Sequence, residues 1–557
     1  MNRMGQSGSG LFMLVASLLA CGILLTGCDR KSQRDGSART SGPVASTDPP
    51  MPMYNDVNVL TYHNDNARTG QYLNESVLTP RNVSAASFGK VGFLPVQGLV
   101  DAEPLYVEKL VINDTPHRVI LVATEHDLVY AFDADTFTQL WRVSLLGARE
   151  ITSDNRGCQQ VTPEIGVTST PVIDLKAGPH GTIYVVAMSK DHEGHYFQRL
   201  HALDIATGAE MHNSPMTIEA TFPGSGSGSK NGRVIFDPKQ YKDRAALLLA
   251  SGVIYTTWAS HCDDDPYTGW VIGYDESTLN QAGVLNLTAN GTEAAIWMTG
   301  DGPAADPAGN VYLLTGNGTF DTMLDPSGFP AQGDYGNAFV KLGMRGGRLS
   351  VIDYFTMHDT IAQSEQDEDL GSGGILLLPD MMDSSKRVRH LAIGAGKDQI
   401  IYTVDRDSMG KFNPTEDRVF EKDIWALSGM EFASPAYFNN TVYYGAYKDS
   451  LKAFPITNGI LPRLPSSQTS KKFDYPGITP SISGNGTSNG IVWAVENSVP
   501  ATLHAYAATD LSQELYNSNQ AGPRDQFGHN KFIAPMIADG KVYVGTPTGV
   551  IVFGLLK

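Results

Sequence analysis

The sequence predicts an all-β protein whose exported part folds as a single eight-bladed β-propeller, closed by an N-terminal strand. Three observations predict this fold: a repeated three-strand unit, the spacing of the prolines that head it, and two chain ends that complement each other. A chain of this length usually forms several domains, but a repeat architecture can include all of it in one domain.

The repeated unit begins with a proline-headed strand, continues with a strand rich in Tyr and Val, and ends with a strand that runs into Asp. PLYVEKLVI, VILVATE and VYAFDAD form the first copy, and APMIADG, KVYVGTPT and GVIVFGLL form the last. Each strand alternates β-branched or aromatic residues with small or polar ones, and Gly, Asn and Asp bound it. Three or four such strands per unit are typical of propeller blades.

The prolines give the number of units. Six units are headed by Pro104, Pro171, Pro303, Pro435, Pro480 and Pro535. The two gaps that flank Pro303 span 132 residues each, which is room for two units. Segments that begin ALLLASG and GGILLLPD supply a unit without a leading proline in each gap, so we count eight blades.

The two ends of the repeat region complement each other. The last unit stops after its third strand, whereas GKVGFLPV, at residues 89–96, is an unpaired strand ahead of the first unit. Pairing between them would complete the last blade and remove both open sheet edges. We therefore expect the ring to close at this point.

Two third-strand motifs resemble the A-x-D-x-x-T-G-x-x-x-W repeat of the quinoprotein (PQQ-like) propeller family. They are AFDAD at residues 131–135, followed by Trp141, and ALDIATG at residues 202–208. The Asp and the Thr-Gly pair are expected to make the turn to the outer strand, and the Trp to pack between blades. YHNDNARTGQ, PEIG and DLGSGG resemble pieces of a bacterial exported branch of the family. The resemblance implies the fold and leaves the function open.

The N-terminus has the layout of an export signal. Arg3 precedes the apolar run LFMLVASLLACGILL, and Leu-Thr-Gly-Cys at residues 25–28 resembles the bacterial lipobox. We expect cleavage after residue 27 and acylation of Cys28; the alternative is an uncleaved anchor, for which the run is short. Residues 28–55 are rich in Ser, Gly, Pro and charge and are expected to form a flexible tether. Residues 56–557 form the predicted propeller.

The charge balance restricts the partners. The chain has 41 basic and 59 acidic residues and a formal net charge of −18. Such a surface repels nucleic acid and anionic headgroups, so neither is an expected partner. The expected location is the cell envelope, with a lipid anchor as the contact with the membrane; the inner and the outer membrane both remain open.

Two cysteines remain in the predicted domain once Cys21 leaves with the signal and Cys28 takes the lipid. Cys158 and Cys262 fall on the same face of adjacent blades, in an oxidising compartment, which favours a disulfide between them. Two free thiols, or half of a metal site that includes His261, are the alternatives.

The family resemblance implies where a cofactor would lie. Quinoprotein dehydrogenases bind PQQ on the face formed by the loops between blades and those joining second to third strands. They place it between a Trp and a disulfide of adjacent cysteines, with Ca²⁺ held by Glu, Asn and Asp and an Asp acting as base. Adjacent cysteines are absent from this sequence, and so is a C-x-x-C-H haem site.

Candidates for the remaining roles are present, so PQQ and Ca²⁺ are the candidate cofactors, neither of them established by the sequence. Asp369 is the candidate base, Glu164 and Asn317 the candidate metal ligands, and Trp297, Lys397 and Asp398 the candidate cofactor-binding residues. Asp, Asn and Gly are also the residues that tight turns require.

Two further features are expected near the same face. Glu125 and His126 follow the second strand of the first blade and should point to the channel mouth, unless they only satisfy a turn. The loop at residues 321–336 holds three carboxylates among glycines, which could clasp a cation or cover the face, although its spacing is not that of an EF-hand.

Three functions compete. The first is a membrane-tethered binding or assembly scaffold for envelope proteins, resembling the propeller lipoprotein of the outer-membrane β-barrel assembly machine. The second is a PQQ- and calcium-dependent alcohol or sugar dehydrogenase. The third is a carbohydrate-binding module with a small-molecule ligand, whose stacking aromatics would be Trp258, Tyr267, Trp270 and Trp297, unless these belong to the blade core.

Overall fold

The computed structural model describes residues 57–423 and 426–557. Antiparallel sheets follow one another along the chain as the eight blades of a propeller, which confirms the predicted fold class. The predicted signal peptide, the tether and Cys28 lie outside the described residues. Within the described ranges, no helix is both long and apolar enough to span a bilayer.

Blades 1 to 4 each have four strands, the first next to the channel and the last on the outside of the ring. Blade 1 consists of Leu105–Ile112, Thr115–Thr124, Leu128–Asp133 and Gln139–Ser144, and blade 2 of Val172–Asp174, Thr182–Asp191, Tyr196–Asp204 and Met216–Thr217. Blade 3 consists of Leu248–Ala250, Val253–Thr257, Trp270–Asp275 and Gln281–Asn286, and blade 4 of Ala304–Ala305, Val311–Leu314, Phe339–Arg345 and Arg348–Phe355.

Blades 5 to 8 repeat the pattern. Blade 5 consists of Ile375–Leu377, Leu391–Ala395, Ile401–Asp405 and Glu421–Asp423, and blade 6 of Ala436–Phe438, Thr441–Tyr444, Ser450–Pro455 and Ser467–Lys472. Blade 7 consists of Ser481–Asn485, Ser488–Glu496, Thr502–Ala507 and Asp510–Asn517, and blade 8 of Met536–Ala538, Lys541–Thr546, Gly549–Leu555 and Phe88–Pro95.

Short elements fill the connections between these strands. The additional strands are Gln71–Tyr72, Glu150–Asp154, Glu164–Ile165, Thr221–Pro223, Arg233–Ile235, Tyr241–Lys242, Ala259–Ser260, Met381–Met382 and Val388–Arg389. The helical segments are the α-helix Thr360–Glu365 and the 3₁₀ segments Met298–Gly300, Leu370–Ser372 and Ser518–Arg524.

The predicted unit boundaries are confirmed. The inner strand begins directly after the leading proline in all six units that have one, for example at Leu105 after Pro104 and at Val172 after Pro171. Proline suits this position because it lacks a backbone donor and holds the preceding residue extended. Blades 3 and 5, which have no leading proline, begin at Leu248 and Ile375.

The ring closes as predicted. Phe88–Pro95 pairs antiparallel with Gly549–Leu555, from Phe88 opposite Leu555 to Pro95 opposite Gly549. The N-terminal strand is therefore the outer strand of blade 8, and it joins the two ends of the repeat region. This pairing completes the four-stranded sheet of blade 8 and covers the edge that its third strand would otherwise expose.

The Asp at the end of the third strand builds the turn that the family motif implies. One carboxylate oxygen of Asp133 accepts hydrogen bonds from the backbone of Asp135 and from the backbone and hydroxyl of Thr136. Asp204 and Asp275 make the same set of contacts in blades 2 and 3. In the turn, where the backbone N–H groups have no partner on a neighbouring strand, this carboxylate therefore accepts their hydrogen bonds.

Trp141 packs between blades 1 and 2, as expected. Its indole nitrogen donates to the carbonyl of Ile205 at 3.0 Å. The ring also lies over Gly208, where a Cβ would come within 2.7 Å of Trp141 Cε3. Gly208 has a φ of +71°, so the position needs glycine for its backbone and for the ring above it.

Replacing Gly208 with alanine should lower the free energy of unfolding by about 1–3 kcal/mol, since the methyl group strains the backbone and displaces Trp141. Gly194→Ala is the matched control, because Gly194 also has a positive φ but a Cβ there would meet no atom within 4 Å. Urea denaturation of both variants measures the difference. Equal losses would show that the contact with Trp141 contributes nothing.

A segment ahead of the first blade, without a strand pattern in its sequence, crosses the propeller channel. Residues 59–75, which we call the channel segment, make hydrogen bonds to all eight blades. The bonded pairs, in order from blade 1 to blade 8, are Val59–Tyr106, Leu60–Ile173, Asn66–Leu249, Asn66–Ala305, Ala67–Leu377, Thr69–Tyr437, Gly70–Ile482 and Glu75–Gly540. The segment therefore links blades that the chain itself keeps far apart in sequence.

Candidate functional site

A cavity of about 170 Å³ lies at the mouth of the channel. Its lining comes from the linkers between blades and from the loops that join second to third strands, which is the face on which the sequence analysis placed the chemistry. Four basic side chains, three acidic ones and four aromatic ones dominate the lining. They are Lys242, Arg244, Lys397 and Lys531; Asp101, Asp263 and Asp369; and Trp297, Phe432, Tyr475 and Phe532.

The structure brings three of the predicted site residues together at this cavity: Trp297, Asp369 and Lys397. Trp297 lies in the linker between blades 3 and 4, just before the 3₁₀ segment Met298–Gly300. Asp369 precedes the 3₁₀ segment Leu370–Ser372 in the next linker, and Lys397 follows the second strand of blade 5. Their roles in binding or catalysis stay predictions.

Asp369 and Lys397 form an ion pair within the cavity wall. Lys397 Nζ lies 2.8 Å from Asp369 Oδ1 and also contacts the exposed carboxylate of Asp367. Asp369 is 3% exposed, and its burial raises the pKa of the carboxyl although Lys397 works against the shift. Burial also disfavours the charge of Lys397, but the two carboxylates outweigh it and raise the pKa of the amine.

The other predicted residues do not line the cavity. The two carboxylate oxygens of Glu164 contact His126 Nδ1 and Thr152 Oγ1, both at 2.8 Å. Asn317 donates to Asp367 Oδ1 at 2.7 Å, and Lys397 contacts the same carboxylate. Asp398 accepts from the Tyr402 hydroxyl at 2.7 Å and from the backbone of Ile400, as a turn residue does.

Three basic residues of the cavity carry no recognisable motif and were missed. Lys242 Nζ lies 5.1 Å from the centre of the Trp297 ring, and Arg244 Cζ lies 4.9 Å from the centre of the Phe532 ring. Lys531 donates to the carbonyl of Gln159 at 3.3 Å. Lys242 and Arg244 stand on either side of an Asp in a polar linker, which in the sequence is indistinguishable from a solvated turn.

Burial changes the ionisation of two of these amines. It lowers the pKa of Lys242 to about 7, with Arg244 as the next cause, and it lowers the pKa of Lys531 as well. Both lysines, unlike Lys397, have no ion-pair partner among the described residues. The cavity therefore contains one lysine that is paired with carboxylates, Lys397, and two that are not, Lys242 and Lys531.

Three aromatic side chains of the cavity lie close to one another. Tyr475 lies 5.4 Å from Phe432 and 5.8 Å from Phe532, ring centre to ring centre, in edge-on arrangements. Tyr475 is 43% exposed, so this part of the cavity wall is open to solvent. Of the four aromatics considered for sugar stacking, Trp258, Tyr267 and Trp270 are buried in the blade core and only Trp297 lines the cavity.

The predicted disulfide between Cys158 and Cys262 is present, with the Cα atoms 5.7 Å apart. It joins the linker before blade 2 to a loop of blade 3. Gln160 and Asp263, which line the cavity, lie within two residues of the bridged cysteines. The cross-link therefore fixes the side of the cavity that holds Lys242, whose amine donates to Gln160 Oε1 at 2.6 Å.

Hydrogen bonds within the protein engage the residues of two further sequence predictions. Glu125 is buried and accepts from the backbone of Gly166 at 2.8 Å, and His126 pairs with Glu164. In the loop at residues 321–336, all three carboxylates accept backbone N–H groups, those of Met323 and Gln332, of Ser327 and Phe329, and of Asn290. Internal hydrogen bonds thus account for the acidic residues of this loop.

Among the described residues, a single group of three His, Cys or acidic side chains is close enough to share a metal ion. It is Asp191, Glu193 and His195, at the exposed end of a blade 2 hairpin, and it does not line the cavity. Glu164 and Asn317 do not line the cavity either. Their role as calcium ligands stays a prediction.

Comparison with solved structures identifies similar folds. Quinohemoprotein alcohol dehydrogenase from Comamonas testosteroni aligns with a TM-score of 0.57 at 14% identity, covering 89% of this chain and 80% of that one. A europium-containing methanol dehydrogenase aligns with a TM-score of 0.59 at 12% identity, covering 90% and 99%. BamB from Moraxella catarrhalis aligns with a TM-score of 0.46 at 12% identity, covering 84% and 98%, which is too low to support an argument.

At these identities the similarity shows the fold alone. Comparison with protein-family models gave no match, and comparison with curated proteins gave none. The described part of this chain has the eight-bladed β-propeller fold of the quinoprotein dehydrogenases.

Proposed function

We propose that this chain is a lipid-anchored propeller of the cell envelope that binds a planar, multiply charged anion in the cavity at the channel mouth. The supporting observation is that Arg244, Lys397, Lys531 and Lys242 line the same cavity as the ring of Trp297. The anchor rests on the Leu-Thr-Gly-Cys sequence at Cys28, and membrane fractionation of a Cys28→Ser variant tests it. A variant that remains in the membrane fraction would overturn the anchor.

The lining suits such a ligand for two physical reasons. The protein carries a net charge of −18, whereas the cavity lining holds four basic side chains and three acidic ones, so the local balance of charge differs from that of the whole chain. Arg244 and the lysines can donate charge-assisted hydrogen bonds to carboxylates, and the indole of Trp297 offers a face for stacking. Ligand sites typically combine apolar walls with a few polar groups aimed at one place.

PQQ, a tricyclic quinone with three carboxylates, belongs to this ligand class and fits the donor set. When bound, it would supply a two-electron acceptor. Asp369 would then hold or accept the proton of an alcohol, while Lys397 keeps that carboxylate in place at 2.8 Å. Glu164 and Asn317 are not at the cavity, so no step is assigned to a metal ion. This interpretation favours the dehydrogenase alternative over a scaffold that binds partners through strand edges alone.

Titration of the full-length protein with PQQ, with and without Ca²⁺, tests this function through quenching of tryptophan fluorescence. Arg244→Met should weaken binding about tenfold or more, since a charge-assisted hydrogen bond to a carboxylate is lost. Arg142→Met is the matched control, because Arg142 is an exposed arginine on the outer strand of blade 1. Equal affinities for the two variants would place the ligand elsewhere.

Dye-linked oxidation of a panel of alcohols and sugars tests the chemistry separately. Asp369→Asn should retain binding and lose turnover, whereas Glu164→Gln should change neither. If the wild-type protein binds PQQ but oxidises nothing, the cavity is a binding site without this activity. If it does not bind PQQ at all, the proposal is wrong, and capture of envelope partners becomes the next experiment.

A further inference from the structure

Lys242 places an unpaired amine against the cavity. It lies at the end of the short strand Tyr241–Lys242, in the linker between blades 2 and 3, and it is 2% exposed. Its Nζ donates to Gln160 Oε1 at 2.6 Å, and no described carboxylate forms an ion pair with it. A buried ammonium without a counter-ion is costly, so the uncharged amine is favoured at this position.

The charged groups around Lys242 act in both directions. Arg244 and Lys531 disfavour its ammonium form, and Glu125 and Asp101 favour it. Glu125 gives little help at neutral pH, because burial and the neighbouring Asp101 raise its own pKa well above the ordinary value. His261, which also lies nearby, is kept neutral by burial, which lowers its pKa to about 3.

Lys397 lines the same cavity but is the opposite case. Its amine is paired with Asp369 and Asp367, and the two carboxylates raise its pKa. Desolvation together with a neighbouring cation is the arrangement that turns a lysine into a nucleophile. Of these two cavity lysines, Lys242 has that arrangement and Lys397 has a salt bridge.

We propose that Lys242 is a covalent site that condenses with the aldehyde or ketone group of a small ligand bearing a carboxylate. The amine lone pair attacks the carbonyl carbon, a C=N bond forms, and the carbonyl oxygen leaves as water with the two amine protons. The step is neither an oxidation nor a reduction, so it needs no further reactant. Arg244 and Lys531 would hold the carboxylate, and Trp297 would form the wall beside the ligand.

This inference goes beyond the proposed function and does not require that PQQ binds. The cavity lining fixes the class of ligand: the carbonyl must sit at Lys242 Nζ while the carboxylate reaches Arg244 or Lys531. Condensation at an amine and quenching by a quinone have separate readouts. Failure of one proposal is therefore distinguishable from failure of the other.

Reductive trapping tests the proposal on the full-length protein. Glyoxylate and cyanoborohydride are added near neutral pH, and peptide mapping locates each lysine that gains a carboxymethyl group. We expect Lys242 to be labelled about a hundredfold faster than Lys397. Even an ordinary lysine with a pKa near 10.4 is almost fully protonated under these conditions, and the two carboxylates favour the ammonium form of Lys397 further. Labelling of Lys242 no faster than Lys397 would overturn the proposal.

Variants and pH give two independent checks. Lys242→Arg should abolish the label at that peptide and leave the slow label at Lys397 unchanged. Arg244→Met should slow the labelling of Lys242, because removal of a neighbouring cation favours the ammonium form.

In the wild-type protein the rate at Lys242 should level off just above pH 7, whereas surface lysines continue to gain reactivity towards pH 10. A rate at Lys242 that rises with the surface lysines would contradict the assignment even if no variant folds.

Discussion

Replacement of Arg68 with methionine is expected to lower the free energy of unfolding by about 3–5 kcal/mol. Arg68 belongs to the channel segment and is fully buried. Its guanidinium donates to four acceptors between 2.8 and 3.1 Å, which are Thr61 Oγ1 and the carbonyls of Tyr62, Leu247 and Pro303. The side chain thus ties the channel segment to the linkers that enter blades 3 and 4.

Methionine has a similar length but no hydrogen-bond donor. The loss of stability would therefore come from the acceptors that remain buried without a partner. The carbonyls of Tyr62, Leu247 and Pro303 would be buried without this partner, and each unsatisfied group costs about 1–3 kcal/mol. Asp301 and Asp65 would also lose the cation that favours their charged forms. Gly302 allows the close approach of Arg68, since a Cβ there would lie 2.4 Å from Nη2.

Chemical denaturation monitored by circular dichroism measures this effect, with Arg142→Met as the control. Arg142 is exposed and makes one long hydrogen bond, 3.4 Å to Gln97 Oε1. A surface change of this kind should stay within about 0.5 kcal/mol of the wild-type protein. A loss at Arg68 as small as that at Arg142 would mean that the channel segment is held by its backbone contacts alone.

The blades could be predicted from the sequence because their determinants are local. A proline ahead of the inner strand and an Asp that caps the turn after the third strand act within a few residues, as Pro104 and Asp133 show. Ring closure was predictable for a different reason. A strand without a partner at each end of a repeat leaves one pairing that removes both edges.

The channel segment could not be predicted in the same way. Its sequence, YHNDNARTGQ and its neighbours, is polar and has no alternation, which is typical of a linker. Its order comes mainly from backbone hydrogen bonds to the inner strands of six blades, such as Ala67 to Leu377, and those bonds carry no side-chain signature. The structural role of Arg68, the buried arginine of this segment, can be recognised only when the acceptors around its guanidinium are known.

The candidate site was predictable in part for a related reason. Trp297, Asp369 and Lys397 stand beside glycine-rich motifs that mark the ends of strands, and the propeller brings those ends together. Lys242 and Lys531 come from linkers without a motif. Glu164 and Asn317 stand beside equally distinctive motifs, yet their side chains satisfy local partners. A motif therefore locates a residue on the face but does not determine where its side chain points.

The second large effect concerns pH and Asp243, a buried carboxyl in the linker before blade 3. Ser169 Oγ donates to Asp243 Oδ2 at 2.8 Å, and Oδ1 has no hydrogen-bond partner among the described atoms. Burial raises the pKa of this carboxyl to about 8, and the hydrogen bond from Ser169 only partly opposes the shift. The folded protein therefore holds a proton that the unfolded chain releases near pH 4.

The sign of the effect follows from that difference. Because the folded pKa is the higher one, the stabilising contribution is complete below about pH 4 and is lost as the pH rises to about 8. The slope is about 1.4 kcal/mol for each pH unit in that window. Asp243→Asn keeps the shape of the side chain and cannot ionise, so the variant should gain stability relative to the wild-type protein by about 4 kcal/mol between pH 5 and pH 8.

Denaturation of both proteins at several pH values measures this difference directly. Glu103 and Asp301, whose pKa values burial also raises to about 8, change in the same way in both proteins and cancel. Asp510→Asn is the control, because hydrogen bonds from Gln513 and Ser512 lower the pKa of the Asp510 carboxyl below its ordinary value. Its stability difference from the wild-type protein should therefore be constant over the same range. A constant difference for Asp243→Asn as well would show that Asp243 does not change its ionisation in the folded protein over this range, which would contradict the prediction.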